Sequence, residues 1–143
     1  MTGLVASAEI DINATPDRVW EALTDPAQVA EYMFGTRVES TWQPGTPITW
    51  QGEYEGKEYK DRGEVLEVLP GRRLKVTHFS PLSGQKDAPE NYHTVTYELA
   101  ERGGHTHVLL KQDNNSSVDE AKHSAANWEM MLDGLKKHVE ASA

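Results

Sequence analysis

Apolar and polar residues alternate from Ala8 to Asn13, with Ala8, Ile10 and Ile12 on one side and Glu9, Asp11 and Asn13 on the other. A period of two predicts a strand with one buried face. The pattern then turns helical. In Ala14-Thr15-Pro16-Asp17-Arg18-Val19-Trp20-Glu21-Ala22-Leu23-Thr24-Asp25-Pro26, Thr15 can cap a helix, Pro16 suits its first position and Asp17 favours the positive end of the dipole. Val19, Trp20 and Leu23 give this helix one apolar face. Asp25-Pro26 closes it and opens a second short helix, Ala27–Met33, which ends near Phe34-Gly35.

From Thr36 the period is two again. Thr36–Trp42 reads as a strand closed by the turn Gln43-Pro44-Gly45, and Pro47–Tyr54 follows with Ile48, Trp50 and Tyr54 on one face. Glu55-Gly56 is the next turn and Lys57–Leu69 the next strand, its middle weakened by Gly63. Pro70-Gly71 has the composition of a type II turn, and Arg73–Phe79 alternates Leu74, Val76 and His78 against Lys75, Thr77 and Phe79. Ser80–Glu90, with Pro81, Gly84 and Pro89, is the one long loop, of a length typical of lids or disordered segments. Asn91–Glu101 and His105–Gln112 pair across Arg102-Gly103-Gly104. No internal repeat or interdomain linker interrupts the series.

Asp113-Asn114-Asn115-Ser116-Ser117 offers several helix caps, and Val118–Glu140 carries Ala121, Ala125, Trp128, Leu132, Leu135 and Val139 at spacings of three and four. That stripe runs the length of a helix about 35 Å long, enough to cross a whole sheet. Six consecutive strands on short turns make an antiparallel meander, and a single long amphipathic helix has to bury its stripe against it. The expected fold is α+β, in the order β-α-α-β-β-β-β-β-β-α, with a curved antiparallel sheet wrapped around the C-terminal helix in one domain spanning 1–143.

The strand followed by Ala-x-x-x-x-Val-Trp-x-Ala-Leu-Thr-Asp-Pro at Ala14–Pro26 resembles the opening of the START-like (SRPBCC) superfamily, the helix-grip fold. Within it the chain is similar to the family named after the activator of the heat-shock-protein-ninety ATPase. The run Asn127-Trp128-x-x-x-Leu132-x-x-Leu135 looks like that family's closing motif, in which a Gly-Trp pair precedes Leu-x-x-Leu; Asn127 stands where Gly is usual. The resemblance implies a cavity between the sheet and the long helix that holds apolar or aromatic small molecules.

Composition narrows the classes. The chain has 143 residues, a net charge of −9 and no cysteine. The charge argues against a nucleic-acid partner, and the missing cysteine removes disulfides, thiolate nucleophiles and Cys-based zinc sites. No run approaches the roughly 18 apolar residues that cross a bilayer, and no leader pattern opens the sequence, so no membrane insertion and a cytoplasmic location are expected. No cofactor is implied.

The inward positions mix apolar Ile48, Trp50, Val76, Val95, Val108, Leu110 and Met131 with polar Tyr54, His78, His93, Tyr97 and Gln112, a composition that fits a ligand pocket. The cavity candidates are Trp50, Tyr54, His78, His93, Tyr97, Gln112, Trp128, Met131 and Leu132. The same residues would equally make a core that the helix and aromatics fill, with Tyr and His groups satisfied locally. His78 and His93 flank the long loop and are expected near each other at one mouth of the sheet, where with Tyr92 or Tyr97 they could serve as an acid/base set or as ordinary rim residues. His105 and His107 share one strand face without a third metal ligand and read as a surface pair. Glu53, Glu55, Glu58, Glu64 and Glu67 read as solvated. No phosphate loop, Ser-His-Asp order or paired-carboxylate spacing stands out, which favours a binding protein over an enzyme and assigns no catalytic residue. The leading expectation is binding of a hydrophobic or aromatic small molecule, lipid or polyketide-like. The alternatives are a chaperone-partner or stress-response role, a polyketide cyclase/aromatase-type enzyme, and sequestration of a reactive natural product.

Overall fold

The first alternating run becomes β1 (Leu4–Ile12) in the computed structural model, which describes residues 3–33, 35–54 and 56–141 and, within these, not the side chains of Tyr54 and Leu82. β1 starts earlier than the pattern from Ala8 predicts because Ala6 continues the buried face and Asn115 Nδ2 donates to the Leu4 carbonyl at 3.0 Å. Then come α1 (Pro16–Thr24), α2 (Pro26–Tyr32), β2 (Arg37–Ser40), β3 (Pro47–Tyr54), β4 (Lys57–Leu69), β5 (Arg73–His78), β6 (His93–Arg102), β7 (His105–Asn115) and α3 (Val118–Ala141). The expected end of the second helix at Phe34, and Glu55 of the turn, lie outside the described residues. The seven strands form one antiparallel sheet in the order β1-β7-β6-β5-β4-β3-β2, a meander closed by β1 against β7.

The helix signals act as the sequence predicts. Thr15 Oγ1 accepts from the Arg18 N–H at 3.2 Å, and Asp25 Oδ1 caps α2 through the Ala27 N–H at 3.2 Å. Ser117 performs the same service for α3, accepting from Glu120 N–H at 3.0 Å. Asp113, Asn114 and Asn115, read from the sequence as further caps, instead extend β7, and Asn114 takes a left-handed φ of 57°. Its Nδ2 donates to the carbonyls of Glu90 and Tyr92, which ties down the end of the long loop. That loop contains two single turns of 3-10 helix, Pro81–Ser83 and Pro89–Asn91, and is pinned by Tyr92 Oη to Asp87 at 2.7 Å and by Arg62 to Asp87 at 2.9 Å.

The stripe of α3 is buried unevenly. Leu132, Leu135 and Val139 are no more than 1 % exposed and Met131 is buried beside them, whereas Ala121, Ala125 and Trp128 are half-covered. Each fully buried aliphatic contributes about 1.5–3 kcal/mol, so the C-terminal half anchors the helix, chiefly on β1 with α1 and α2 alongside. Asn127 is exposed, so the close packing that a Gly would allow is not used there. The tight approach lies one helical stretch later, where Gly134 meets the Tyr32 carbonyl. The end of α3 is clamped electrostatically: Lys136 Nζ donates to the Asp11 carbonyl at 2.8 Å and Glu140 Oε2 accepts from Asn13 N–H at 2.8 Å.

Gly63, which weakens β4 by propensity, is required by space. A Cβ there would stand 1.7 Å from the Thr77 carbonyl oxygen of β5. Beyond this contact β4 carries a bulge between Val65 and Glu67, and Arg62 pairs with Phe79 in an isolated bridge. Among the described residues no helix is long and apolar enough to cross a membrane.

Two expectations follow. Gly63→Ala should destabilise the fold by at least about 3 kcal/mol, since backbone must move to admit the methyl, and a urea midpoint close to wild type would contradict this contact. Hydrogen bonds from Lys136 and from the Asn13 N–H hold the Glu140 carboxyl below its ordinary range. A lowered folded-state pKa contributes stability above the unfolded value and loses it as pH falls through the folded one. Glu140→Gln should therefore lower stability at neutral pH and flatten the acid limb of the stability profile; parallel profiles for the two proteins would overturn the clamp.

Candidate functional site

β3 and β4 pair so that Trp50 stands opposite Asp61 and Gly52 opposite Tyr59. Along the same inner face, β5 and β6 oppose Val76 to Val95 and His78 to His93. The register therefore lines up aromatic, carboxylate and imidazole groups across four strands. Gly52 makes room for its neighbour, since a Cβ there would lie 2.8 Å from the Tyr59 hydroxyl. The Tyr59 ring thereby reaches Thr36, whose Oγ1 is 2.5 Å from its hydroxyl.

These groups enclose a cavity of about 70 Å³ beneath α3. Trp50, Val76, Val95 and Trp128 form its apolar walls, with Met33 from the end of α2. Thr36, Tyr59, Asp61, His78 and Tyr97 supply the polar groups. A second, apolar pocket of about 20 Å³ adjoins it, sharing Met33, Trp50, Val76 and Tyr97 and reaching Trp42 and Ile48. Trp42 holds a left-handed φ of 57° there, its N–H bonded to Ser40 Oγ at 2.9 Å. The interior is thus mostly filled by side chains, with one small polar-lined space left.

The polar wall has a definite sense. His78 Nε2 lies 2.8 Å from Asp61 Oδ2, so against an ionised carboxylate the imidazole donates from Nε2, and in its neutral form Nδ1 is left as an acceptor. The ring is fixed edge-on to Trp50, with centroids 5.0 Å apart. Asp61 Oδ1 is buried and accepts no hydrogen bond among the described residues. Burial pushes the pKa of the Tyr97 hydroxyl well up, so the phenol stays neutral. The Trp128 indole N–H is held by Gln112 Oε1, fixing the ring as a roof over the cavity.

Of the residues proposed from sequence, Trp50, His78, Tyr97 and Trp128 meet at this cavity, and Gln112 acts on it through Trp128. His93 pairs with His78 in register, but its Nδ1 donates to the Asp113 carbonyl at 2.8 Å. Met131 and Leu132 pack in the core. The Tyr54 side chain lies outside the described residues. Sequence reasoning missed Asp61, Tyr59, Thr36 and Met33. Counting outward from the Glu55-Gly56 turn would have found two of them, because pairing Tyr54 with Lys57 brings Gly52 to Tyr59 and Trp50 to Asp61.

Elsewhere, His107 Nδ1 lies 2.8 Å from Asp11 Oδ1 and its Nε2 3.3 Å from Glu9 Oε2, on the face opposite buried Val108 and Leu110. The His107 hydrogen bond, with charge from His107, His105 and Arg102, holds the Asp11 carboxyl below its ordinary value. Among the described residues no group of three or more His, Asp or Glu is arranged to hold a metal ion. A larger hollow, about 810 Å³, lies on the outer face of the sheet, lined mainly by Thr77, Tyr92, Thr94 and Thr96. It lacks the facing aromatic walls of the inner cavity.

The family model described as Activator of Hsp90 ATPase homolog 1-like protein matches residues 13–140. The chain belongs to this family. Among solved structures, it is similar to ChR145 from Cytophaga hutchinsonii, 46 % identical over 99 % of this chain and 97 % of that one, with a TM-score of 0.85. It is also similar to the Aha1 dimer from Colwellia psychrerythraea, 18 % identical over 96 % of both chains, TM-score 0.75. DynU16, ascribed to the dynemicin biosynthetic locus, is 20 % identical over 96 % of this chain but 48 % of its own, TM-score 0.80. The last two likenesses speak for the fold alone. No curated protein matches the chain.

The half-buried Asp61–His78 pair should behave as a coupled pair. His78→Leu leaves the carboxylate without its donor and should cost about 1–3 kcal/mol, while Asp61→Leu combined with His78→Leu should cost less than the two single changes added together. Additive losses in urea denaturation would show that the pair is not coupled.

Proposed function

We propose that this protein binds a small, mainly apolar or aromatic molecule between the inner face of the sheet and α3. The observation that carries this reading is the convergence of Trp50, Trp128 and two valines with the Tyr97 phenol and with Asp61, whose Oδ1 has no partner among the described residues, around one small space. Ligand pockets combine apolar walls with a few placed polar groups in this way. The likeness to DynU16, ascribed to the dynemicin biosynthetic locus, supports it at the level of fold.

The space is smaller than the roughly 300–1,000 Å³ of ordinary ligand pockets, and an apolar cavity that takes benzene measures about 150 Å³. Binding therefore entails movement of the roof. The half of α3 that carries Trp128 is the less buried half, so it can shift while Leu132, Leu135 and Val139 stay in place. A second reading, acid–base catalysis of the cyclase type on the bound molecule, draws on the hydrogen bond of His78 to Asp61; loss of turnover with binding retained in a His78 variant would favour it. The chaperone role in the family description draws on that description alone.

Titration with small aromatic and lipid probes should move the indole resonances of Trp50 and Trp128 together, with the fastest amide exchange in the Trp128 half of α3 rising or falling on binding. Shifts confined to the outer face, or none with any class of probe, would remove the binding reading.

A further inference from the structure

Resting on that reading, we infer that the molecule held is a neutral aromatic or alicyclic alcohol, a phenol above all, whose O–H donates to Asp61 Oδ1, and that anionic ligands are refused. The charge of the lining is one-sided. Among the described residues of the cavity wall no Lys or Arg appears, and the wall's carboxylate already spends one oxygen on His78. A carboxylate or phosphate placed there would face Asp61 with no Lys or Arg of the described wall to offset the repulsion, and the one imidazole is already bonded to Asp61. A fatty acid is therefore a poor occupant, although the fold accommodates an apolar chain in principle.

The available hydrogen-bonding groups define the complementary partner. Asp61 Oδ1 is a buried acceptor without a donor, and His78 Nδ1 is a second acceptor once Nε2 is committed to Asp61. The Tyr97 hydroxyl is a neutral group able to donate. A hydroxyl donates and accepts at the same atom, so a single phenolic oxygen can donate a hydrogen bond to Asp61 and accept one from Tyr97. The ring that carries it would lie between the indoles of Trp50 and Trp128, where aromatic contact adds to burial.

Thr96 Oγ1, on the outer face, is also buried without a partner. It is a neutral hydroxyl flanked in register by Lys75 and Lys111, and leaving it unpaired costs far less than leaving a carboxylate oxygen unpaired. The demand for a donor is thus strongest at Asp61.

The test compares phenol, anisole and benzoate, three probes of similar ring size that differ in donor and charge. On the unaltered protein, phenol should bind about tenfold more tightly than anisole by chemical-shift titration of the Trp50 and Trp128 indoles, and benzoate should produce no shift. In Asp61→Asn the amide oxygen keeps the His78 bond and the NH₂ turns toward the cavity, so the preference of phenol over anisole should vanish or reverse. Equal affinity for phenol and anisole in the unaltered protein, binding of benzoate, or an unchanged ratio in D61N would overturn this assignment while leaving the binding site standing. Failure of every probe to move either indole would overturn the binding reading itself. The comparison on the unaltered protein decides the matter by itself should D61N not fold.

Discussion

The C-terminal half of α3 has to bury Met131, Leu132, Leu135 and Val139 at once, and that requirement fixes where the rest of the molecule can lie. Four apolar side chains on little more than two turns need a continuous partner surface, which β1 provides with α1 and α2 beside it. Gly134 lets the Tyr32 backbone come close, and Lys136 and Glu140 fasten the same end to the chain leaving β1. The other half of α3 is less deeply buried, and from it Trp128 meets residues of β3 to β6 around the cavity while Ser124 donates to Asn115 of β7. Architecture and site are two consequences of one uneven stripe.

Much of the sheet was legible because alternation is a local signal. β3 and β4 have the bounds read from the pattern, and their short connection sets the register without help from distant contacts. The misjudged stretches are those where a side chain far along the sequence decides the outcome. Asn114 and Asn115 look like helix caps because short polar residues bond local backbone. Their donors instead reach Glu90, Tyr92 and Leu4, and the strand runs on to meet them. The length of the long loop suits a lid or a disordered segment, yet Asn114 holds its Glu90 carbonyl and Arg62 pairs with its Asp87 side chain.

The site was legible only on strands whose parity is undisturbed. Trp50, His78 and Tyr97 sit at positions where apolar neighbours mark the inner face, and Trp128 continues the helical stripe. Asp61 and Tyr59 do not, because the inner face of β4 reads Tyr59, Asp61, Gly63, Val65, and a carboxylate beside glycine in a charge-rich strand looks like a solvated row. The bulge after Val65 then reverses the parity, so the apolar end of β4 cannot be counted back to Asp61. Composition could not reveal it; turn-based register could. His93 shows the opposite limit, since register pairs it with His78 on one side while the Asp113 carbonyl of the neighbouring strand β7 claims its ring nitrogen on the other.

A buried carboxylate facing a cavity is not what folding stability alone would select. Apolar groups of similar volume in place of a buried ionic pair are often neutral or stabilising, by about 1–4 kcal/mol, because the pair must recover its desolvation cost through hydrogen bonds on every oxygen. Asp61 recovers it on one oxygen only. Its neighbours spend their hydrogen bonds elsewhere: Thr36 is bonded to Tyr59 and Trp128 to Gln112. A core built only for packing would have closed this space with another valine. Asp61 therefore keeps an unpaired carboxylate oxygen beside the cavity that Trp50, Tyr97 and Trp128 line, a cost in stability that a ligand hydroxyl would offset under the binding proposed above, and the firmly packed end of α3 is what allows that cost to be carried.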